Sequence, residues 1–166
     1  DVTADLPLPL NVGIGFAYSG IENLLITGDV ALSQWSAWDV IEVNDDDGNK
    51  INELTMNWED GIRAGLALEY SLALANAKLR ASFYSEPAAP VAETMNPTIP
   101  DINRRNVVVL GFGLPVGPFE AGLMYEHMFI GDKTVEWSPE TPPFHNLGGL
   151  YTMTVNNIMF GLDYNF

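Results

Sequence analysis

The sequence has no cysteine, few cationic residues and no long uninterrupted apolar run, and each absence excludes a class of protein. Without cysteine there is no disulfide bond and no thiolate metal site. Lys and Arg number 7 against 22 Asp and Glu, so a net charge of -15 leaves no basic surface for nucleic acid or for an anionic lipid surface. The most apolar stretch, residues 61–77, is interrupted by Arg63 and Glu69, whereas a membrane-spanning helix needs roughly 20 mostly apolar residues.

What the sequence has instead is a strict alternation of side-chain polarity along several predicted strands. Successive side chains of a strand point to opposite faces, so alternation gives each strand one apolar face and one polar or small face. Such a two-residue repeat in successive strands, with aromatic residues at the ends of the apolar face, is typical of transmembrane β-barrels. In residues 61–70 the apolar face carries Ile62, Ala64, Leu66, Leu68 and Tyr70, and the other face carries Arg63, Gly65, Ala67 and Glu69.

The patterning predicts seven strands in one all-β, antiparallel transmembrane barrel domain spanning residues 1–166. The connections between them are alternately short and long, as in bacterial outer-membrane barrels with short periplasmic turns and long extracellular loops. The long ones are an acidic stretch at 43–57, a proline-rich stretch at 86–103 and residues 131–147. The predicted strands are 8–18, 24–36, 61–70, 77–85, 106–114, 119–130 and 149–166.

An odd strand number has a consequence for the whole protein. Single-chain bacterial barrels have an even number of strands, and an unpaired strand edge cannot lie in lipid. We therefore expect the chain to be the C-terminal part of a larger barrel, with the first half absent. The alternative is that one strand escapes detection and the chain is a small eight-stranded barrel.

Three segments, in order, resemble a known family. Residues 29–36, Asp-Val-Ala-Leu-Ser-Gln-Trp-Ser, are similar to a strand that ends in a Trp-Ser pair. Residues 58–65, Trp-Glu-Asp-Gly-Ile-Arg-Ala-Gly, are similar to a strand start in which an aromatic residue and an acid precede Arg and Gly. Residues 85–87, Ser-Glu-Pro, and 97–104, Pro-Thr-Ile-Pro-Asp-Ile-Asn-Arg, are similar to a Ser-Pro … Ile-Pro-Asp-x-x-Arg loop, from which they depart by Glu86 and by the doubled Arg at 105.

These segments resemble the C-terminal half of the long-chain fatty acid and aromatic hydrocarbon transporters of the Gram-negative outer membrane. The resemblance covers nearly the whole chain. It implies a barrel of about fourteen strands plugged by an N-terminal hatch, so both the hatch and the first strands would be absent here. It also implies passive uptake of hydrophobic compounds without chemistry or cofactor, with the loops at 86–103 and 131–147 shaping the way in.

Charged residues of both signs fall on the face opposite the apolar one, which would be the lumen of a barrel. Because buried charges need partners, we interpret them as a paired ladder that stabilises the wall, in preference to a substrate path. The ladder consists of Asp29, Arg63, Glu69, Lys78, Arg80, Glu120, Glu126 and Asp163.

The same predicted face also carries more apolar side chains than a water-filled porin would show. Pockets with few polar groups suit apolar ligands, and Met adapts to varied ligand shapes. We therefore predict hydrophobic ligand contacts, or detergent contacts, at Val107, Val109, Met124, Met153, Val155 and Met159.

Other motifs have simpler interpretations. The run from Asp45 to Asn49 fails the EF-hand pattern, since its sixth position is Lys50 and not Gly, so a solvated loop at the lipopolysaccharide surface is favoured over a metal site. Gly111 and Gly113 flank one residue inside a strand with no helix after it, so they make room in the lumen and do not bind phosphate. The only two histidines, His127 on the outward face and His145 in a loop, lack the neighbours of a hydrolase, and no enzyme activity is predicted.

The predicted location is the bacterial outer membrane, and the predicted partners are outer-membrane lipid, lipopolysaccharide, a hydrophobic ligand and the missing N-terminal half of the barrel. No nucleic acid and no cofactor is expected. Two alternatives stay open: a structural or adhesin-type barrel, which would use its loops and not its lumen, and a general porin, which would admit small sugars and ions.

Overall fold

The computed structural model describes residues 1–73, 75–95, 101–137 and 148–164, and over these it is all-β. Two short 3-10 turns, Trp35–Ala37 and Ala92–Thr94, accompany the strands. None of the helical turns in these residues has the length and apolarity needed to cross a membrane. The strands are β1 (Val2–Ala4), β2 (Asn11–Ile21), β3 (Leu24–Ser33), β4 (Val40–Asp45), β5 (Lys50–Thr55), β6 (Gly61–Leu72), β7 (Ala77–Glu86), β8 (Arg105–Val116), β9 (Phe119–Ile130), β10 (Lys133–Val135), β11 (Gly149–Tyr151) and β12 (Thr154–Tyr164).

Seven of these strands form one antiparallel sheet in the order β12-β9-β8-β7-β6-β3-β2. Each predicted strand corresponds to one strand of this sheet, so the predicted all-β antiparallel class and the number of wall strands are confirmed. Within this sheet, each strand lies next to the sheet strand that follows it along the chain. This is the arrangement expected when antiparallel strands are connected end to end without a crossover. The sheet is not closed over the described residues: β2 and β12 are its two edges.

The connections confirm the predicted alternation of short and long. The three short ones lie at one end of the sheet, which we call the turn end, and each contains a residue in the left-handed region: Asn23 (φ 61), Asn76 (φ 48) and Gly117 (φ 62). Gly and Asn adopt this conformation at low cost, which explains their presence in tight hairpin turns. The three long connections lie at the opposite end, which we call the loop end.

The acidic stretch at 43–57, predicted as one long connection, contains part of β4 and the whole of β5, which form a hairpin, and β1 adds a third strand to it. The run 45–49, for which the sequence predicted a solvated loop, lies at the turn of this hairpin, with residues 46–49 exposed. Asp45 closes the hairpin turn, because its Oδ1 accepts hydrogen bonds from the backbone N–H of Asp47 (3.0 Å) and Asn49 (2.8 Å). These bonds, with the backbone bond from Asn49 first, hold the pKa of the Asp45 carboxyl below its usual value. Ile51 and Leu54, the apolar residues of β5, are three positions apart, so no alternation marked this strand in the sequence.

The ends of three wall strands differ from prediction by two residues or more at points where the chain changes direction or the strand breaks, and the other differences are extensions of one or two residues. The first starts at Asn11 and not at residue 8, because Pro7 and Pro9 have no N–H to donate to a ladder. The second ends at Ser33, where the chain turns into the 3-10 segment Trp35–Ala37. The last predicted strand is broken into β11 and β12, and β11 pairs with β10 in a separate hairpin. The last residues of the predicted strand, 165–166, lie outside the described residues.

Two small hydrophobic clusters pack the long connections together at the loop end. The first contains Ile41, Met56, Trp58 and Ala89, with Trp35 and Trp38 against it. The second contains Met95, Ile102 and Val135, with Tyr151 and Met153 among the residues packed against it. The loop end is therefore a folded cap with its own cores, and the buried residues of both clusters lie outside the seven-stranded sheet.

The two faces of the sheet are inverted relative to a water-soluble protein. The face that carries Leu66, Phe83, Leu110 and Leu123 is the more exposed; Leu110 is 55% exposed. The face that carries the charged side chains is the less exposed; the Glu120 side chain is 26% exposed. We call these the outer face and the inner face. Apolar side chains on the more exposed outer face and charged side chains on the less exposed inner face suit a sheet whose outer face contacts lipid.

Candidate ligand-binding face

The inner face carries the charged residues predicted from the sequence, and register brings six of them into two groups. The smaller group joins adjacent strands: Arg63 on β6 has its Nη1 2.8 Å from Oδ2 of Asp29 on β3. The Arg63 guanidinium also lies over the ring of Tyr84 on β7, 4.7 Å from the ring centre. The carboxylate of Asp29 and the ring face of Tyr84 together fix the position of this guanidinium.

The larger group is centred on Arg80 and spans four strands. Arg80 Nε lies 2.7 Å from Oε2 of Glu69 on the neighbouring strand β6, and Arg80 Nη2 lies 3.1 Å from Oε1 of Glu120 on β9. Lys78 contributes a second cation to the same carboxylates, at 3.9 Å from Glu69 Oε1 and 3.5 Å from Glu120 Oε2. The four formal charges sum to zero, so the group carries no net charge into the interior.

Glycines on β8 make the longer of these contacts possible. Glu120 is two strands from Arg80, and β8 lies between them with Gly111 and Gly113 on its inner face. A Cβ at Gly113 would lie 3.0 Å from Glu120 Oε1 and 3.1 Å from Arg80 Nη1; one at Gly111 would lie 3.2 Å from Arg80 Cβ. The Arg80 side chain thus crosses β8 through the space that the two glycines leave.

The remaining two acids of the predicted ladder have different surroundings. Glu126 Oε1 accepts a hydrogen bond from Nδ2 of Asn157 on β12 at 2.6 Å. Asp163 lies opposite Glu120 in the β9–β12 register, and within the described residues it makes no ion pair. Because β12 is an edge strand, Asp163 has a neighbouring strand on one side only within the described residues.

A groove of about 240 Å³ lies on the inner face next to Arg80. Two residues predicted to contact ligand, Val109 and Met124, line it, and so do Glu69 and Arg80 of the charged group. Its lining is mostly apolar, and the paired charges border it. Thr27, Ala67 and Ser82 also line it, and the sequence did not single them out because they are small or only weakly polar; Leu25, a further apolar lining residue, was missed as well.

The other predicted ligand contacts lie elsewhere. Val107 is on the inner face of β8 but is fully buried, with 0% of its surface exposed. Val155 and Met159 are on β12, and the register pairs Met159 with Met124. Met153 lies in the break before β12 and packs on the loop-end cluster of Met95, Ile102 and Val135. Val109 and Met124 therefore line one groove, whereas Met153 packs in the cap.

The segments that carry the family resemblance meet at the loop end. The Ser36 backbone N–H donates to Asp60 Oδ1 at 2.9 Å, which links the first segment to the second and holds the pKa of the Asp60 carboxyl below its usual value. Arg104 Nη1 donates to Ser85 Oγ at 3.1 Å within the third. Arg105, the second of the two adjacent arginines, has a different partner: its guanidinium forms an ion pair with Glu86 (3.3 Å). Residues 97–100 of this segment lie outside the described residues.

His127 lies on the outer face toward the loop end, as its position in the alternation predicts. Its Nδ1 is 2.7 Å from Oδ1 of Asn156 on β12, the same oxygen to which Tyr125 donates its hydroxyl (2.7 Å). Its ring meets the ring of Phe129 edge-on, with centroids 4.3 Å apart. His145, the second histidine, lies outside the described residues.

Topology, inverted faces and an inner face with paired charges define a class: the sheet is the wall of an antiparallel transmembrane β-barrel. A solved structure similar to this chain is that of a Pseudomonas aeruginosa FadL homologue, with a TM-score of 0.79 over 97% of this chain. The match spans 36% of the length of that protein, at 16% sequence identity. This confirms the resemblance inferred from the sequence, at the level of fold. No protein-family model and no curated protein matches the sequence.

Proposed function

We propose that the chain forms part of an outer-membrane channel for passive uptake of hydrophobic compounds, such as long-chain fatty acids or aromatic hydrocarbons. The single observation that carries this proposal is the pairing of a lipid-compatible outer face with an inner groove that is mostly apolar and bordered by neutralised charge. The fold of the FadL homologue supports it. No catalytic step and no cofactor is part of the proposal.

The outer face supports a membrane location through the slope of its apolar band. One register row joins Tyr18 of β2 to Ile158 of β12 across all seven strands. The apolar outer residues run from Leu10, just before β2, to Ile21 at the turn end of β2, whereas on β12 they run from Ile158 toward the turn end as far as Tyr164. The centre of the band therefore moves by about six residues over six strand steps.

This displacement agrees with the geometry of known barrels. With a rise of about 3.4 Å per residue and about 4.8 Å between strands, the slope corresponds to a strand tilt of about 35°. Membrane barrels tilt their strands by roughly 35–45°. When tilted strands cross a flat bilayer, the apolar band runs diagonally across the strands. No such band is expected on the water-facing side of a soluble sheet. Aromatic residues at its turn-side edge, including Tyr18, Tyr70 and Tyr164, match an interfacial girdle.

The inner face supports a hydrophobic cargo over a hydrophilic one. Lys78 and Arg80 are neutralised by Glu69 and Glu120, so they provide no net field to draw ions through the channel. The adjoining groove with Val109 and Met124 offers apolar contact for a ligand to occupy and leave by differential binding alone.

The proposed partners follow from the same surfaces. Lipid covers the outer face, lipopolysaccharide borders the acidic loop end, and a hydrophobic ligand or detergent occupies the inner groove. The free edges of β2 and β12 call for further strands of the same barrel, since an unpaired edge is not stable in lipid. The missing N-terminal half of such a barrel would provide them.

Uptake of radiolabelled oleate by bacteria producing the intact protein tests the proposal. Thr27→Trp puts a large ring into the groove and is expected to lower uptake several-fold, while Ile26→Trp, one residue away on the outer face, leaves it unchanged. Swelling of proteoliposomes in small sugars would show a general porin instead. Absence of uptake from protein normally displayed at the cell surface would favour an adhesin-type or structural barrel.

A further inference from the structure

Polar side chains interrupt the apolar band of the outer face along a diagonal line at its loop-end margin. On β2 the apolar residues pass the register row from Tyr18 to Ile158 and reach Leu10, and on β7 and β8 they pass it by one outer position. On β9 and β12 the run is interrupted directly beyond the row, by His127 and Asn156. Since a bilayer boundary crosses tilted strands diagonally, this line corresponds to the level of the lipid headgroups.

Tyr125, His127 and Asn156 are linked by hydrogen bonds into a group that we call the polar patch. The Tyr125 hydroxyl donates to Asn156 Oδ1 at 2.7 Å, and His127 Nδ1 lies 2.7 Å from the same oxygen. An amide oxygen accepts hydrogen bonds and has no proton to give, so His127 Nδ1 donates to it. The other ring nitrogen, Nε2, therefore remains for a group from outside the patch.

Charge distinguishes the polar patch from the rest of the outer face. Every Asp, Glu, Lys and Arg of the seven wall strands has the inner-face parity, so none of these residue types lies on the outer face of the described strands. His127 is the one histidine on that face, and thus the outer side chain of these strands that can carry a positive charge. An anionic headgroup at this wall therefore meets no carboxylate on the described strands and finds a cationic partner at His127.

An aromatic ring beside the patch adds a surface for a sugar. Phe129, the next outer residue of β9 toward the loop end, is 55% exposed, and its ring meets the His127 ring edge-on with centroids 4.3 Å apart. The negative face of an exposed aromatic ring attracts the slightly positive hydrogens of C–H groups, which line the faces of a sugar. Phosphate oxygens form charge-assisted hydrogen bonds with a protonated imidazole. The polar patch with Phe129 therefore suits a phosphorylated sugar.

Lipopolysaccharide has such a headgroup, and it forms the outer leaflet at the extracellular end of a bacterial barrel, which is the end with the long connections. We propose that the polar patch and Phe129 bind the phosphorylated sugar headgroup of one lipopolysaccharide molecule, with a phosphate oxygen accepting from His127 Nε2. The inference rests on the membrane location in the proposed function. It adds a lipid-binding site on the outer wall, separate from the inner groove.

Lipid A tests the proposal because its phosphates can be removed while its sugars and acyl chains stay. Native mass spectrometry of the intact protein in detergent measures the binding of lipid A, of dephosphorylated lipid A, and of phosphatidylglycerol, which has a phosphate but no sugar. We expect lipid A to bind about tenfold more tightly than its dephosphorylated form, the equivalent of one charge-assisted hydrogen bond. Phosphatidylglycerol should bind more weakly than lipid A.

His127→Gln removes the cation and keeps a polar side chain, so it should abolish the preference for phosphorylated lipid A. Phe129→Leu removes the ring and should weaken the binding of both forms of lipid A several-fold. Phe83→Leu is the matched control: Phe83 is an exposed ring on the outer face of β7, in the same register row as His127 but two strands away. Its replacement should leave the affinity for lipid A unchanged.

Equal binding of lipid A and its dephosphorylated form by the unmodified protein would overturn the proposal, as would a phosphate preference that survives His127→Gln. Phosphatidylglycerol bound as tightly as lipid A would also contradict it, because the sugar would then contribute nothing. Dimers of the protein without bound lipid A would contradict it too, because the patch would then be a contact between copies.

Thermal unfolding of each variant in the same detergent identifies loss of fold. If His127→Gln does not fold, the comparison of Phe129→Leu with Phe83→Leu decides, and equal lipid A binding by these two variants would refute the site. Oleate uptake is measured separately. A protein that takes up oleate but shows no preference for lipid A contradicts this site and leaves the proposed transport function intact.

Discussion

The outer and inner faces of the seven-stranded sheet are made by the same strands, yet they obey opposite rules. Outer side chains are mostly apolar and exposed: Ile158 is 78% exposed. Inner side chains include cations and acids that find partners up to two strands away, as Arg80 does with Glu120. The comparison teaches that a surface suited to lipid requires only apolar side chains. A face that carries charges requires, in addition, that each charge lies within reach of an opposite one.

The difference also explains which glycines matter. On the inner face Gly113 keeps a path free for Arg80, while Gly161 on β12 has no atom within 4 Å of where a Cβ would stand. Identical residues on the same face thus have different consequences, because one lies inside the charged group and the other lies at an open edge.

The sharpest test of the two faces is a charge placed on each. Leu110→Arg puts a cation within the apolar band of β8 and should destabilise the folded protein in lipid by about 2–4 kcal/mol. Val109→Arg, its neighbour on the inner face, lies opposite Glu126 in the register and should cost much less. Urea unfolding of the intact protein in lipid vesicles measures both; equal losses would mean that the outer face does not contact lipid.

A smaller effect is expected from filling the space on β8. Gly113→Ala brings a Cβ to 3.0 Å from Glu120 Oε1, so the charged group must shift, at an expected cost of about 1–2 kcal/mol. Gly161→Ala should be neutral or slightly stabilising, because it reduces the freedom of the unfolded chain without a clash. The same unfolding measurement compares the two, and a neutral Gly113→Ala would show that the Arg80–Glu120 contact is not needed.

A double-mutant cycle measures the charged contact itself. Arg80→Met and Glu120→Gln should show a coupling of about 1 kcal/mol or less, because both side chains keep roughly a quarter to a third of their surface exposed and solvent screens the pair. The control is Arg80→Met with Asp163→Asn, since Asp163 makes no described contact with Arg80. Coupling of equal size in both cycles would point to a diffuse field and not to a specific pair.

The smallest effect is a pH dependence in the cap. The Ser36 N–H holds the pKa of Asp60 below its usual value of 3.8, so the folded state favours the ionised form. This contribution is fully present above the unfolded pKa and is lost as pH falls through the lower folded pKa. The protection factor of the Ser36 amide, which is its intrinsic exchange rate at each pH divided by the observed rate, should therefore fall below about pH 4. Asp60→Asn keeps an acceptor without titrating and should remove this loss of protection; if the loss persists, another group is responsible.

Much of the wall could be predicted because alternation is a local property. The outer apolar residues, the seven strands and the short turns with Asn23, Asn76 and Gly117 follow from a two-residue period and from turn chemistry. The cap could not be predicted in the same way. The β4–β5 hairpin lies in an acidic stretch, and the Trp35, Trp38 and Trp58 cluster assembles residues that no short-range period connects.

The candidate site divides along the same line. Val109 and Met124 were found because apolar residues at inner positions are conspicuous, while Thr27, Ala67 and Ser82 were missed because small side chains carry no signal of their own. Met153 was predicted for the lumen by extending the alternation through a break in the strand, and it packs in the cap. The alternation of polar and apolar residues does not indicate where a strand ends.

By itself, the sequence determined the class of the protein: which side chains share a face, that one face suits lipid, and that the opposite charges had to be neutralised. The tertiary structure alone decided which charges pair, where the groove lies, and how the connections fold into a cap with its own hydrophobic clusters. The physical reason is range. Alternation is set by neighbouring residues in one strand, whereas a contact such as Arg80 with Glu120 depends on the register of four strands and on the space left by Gly113 between them.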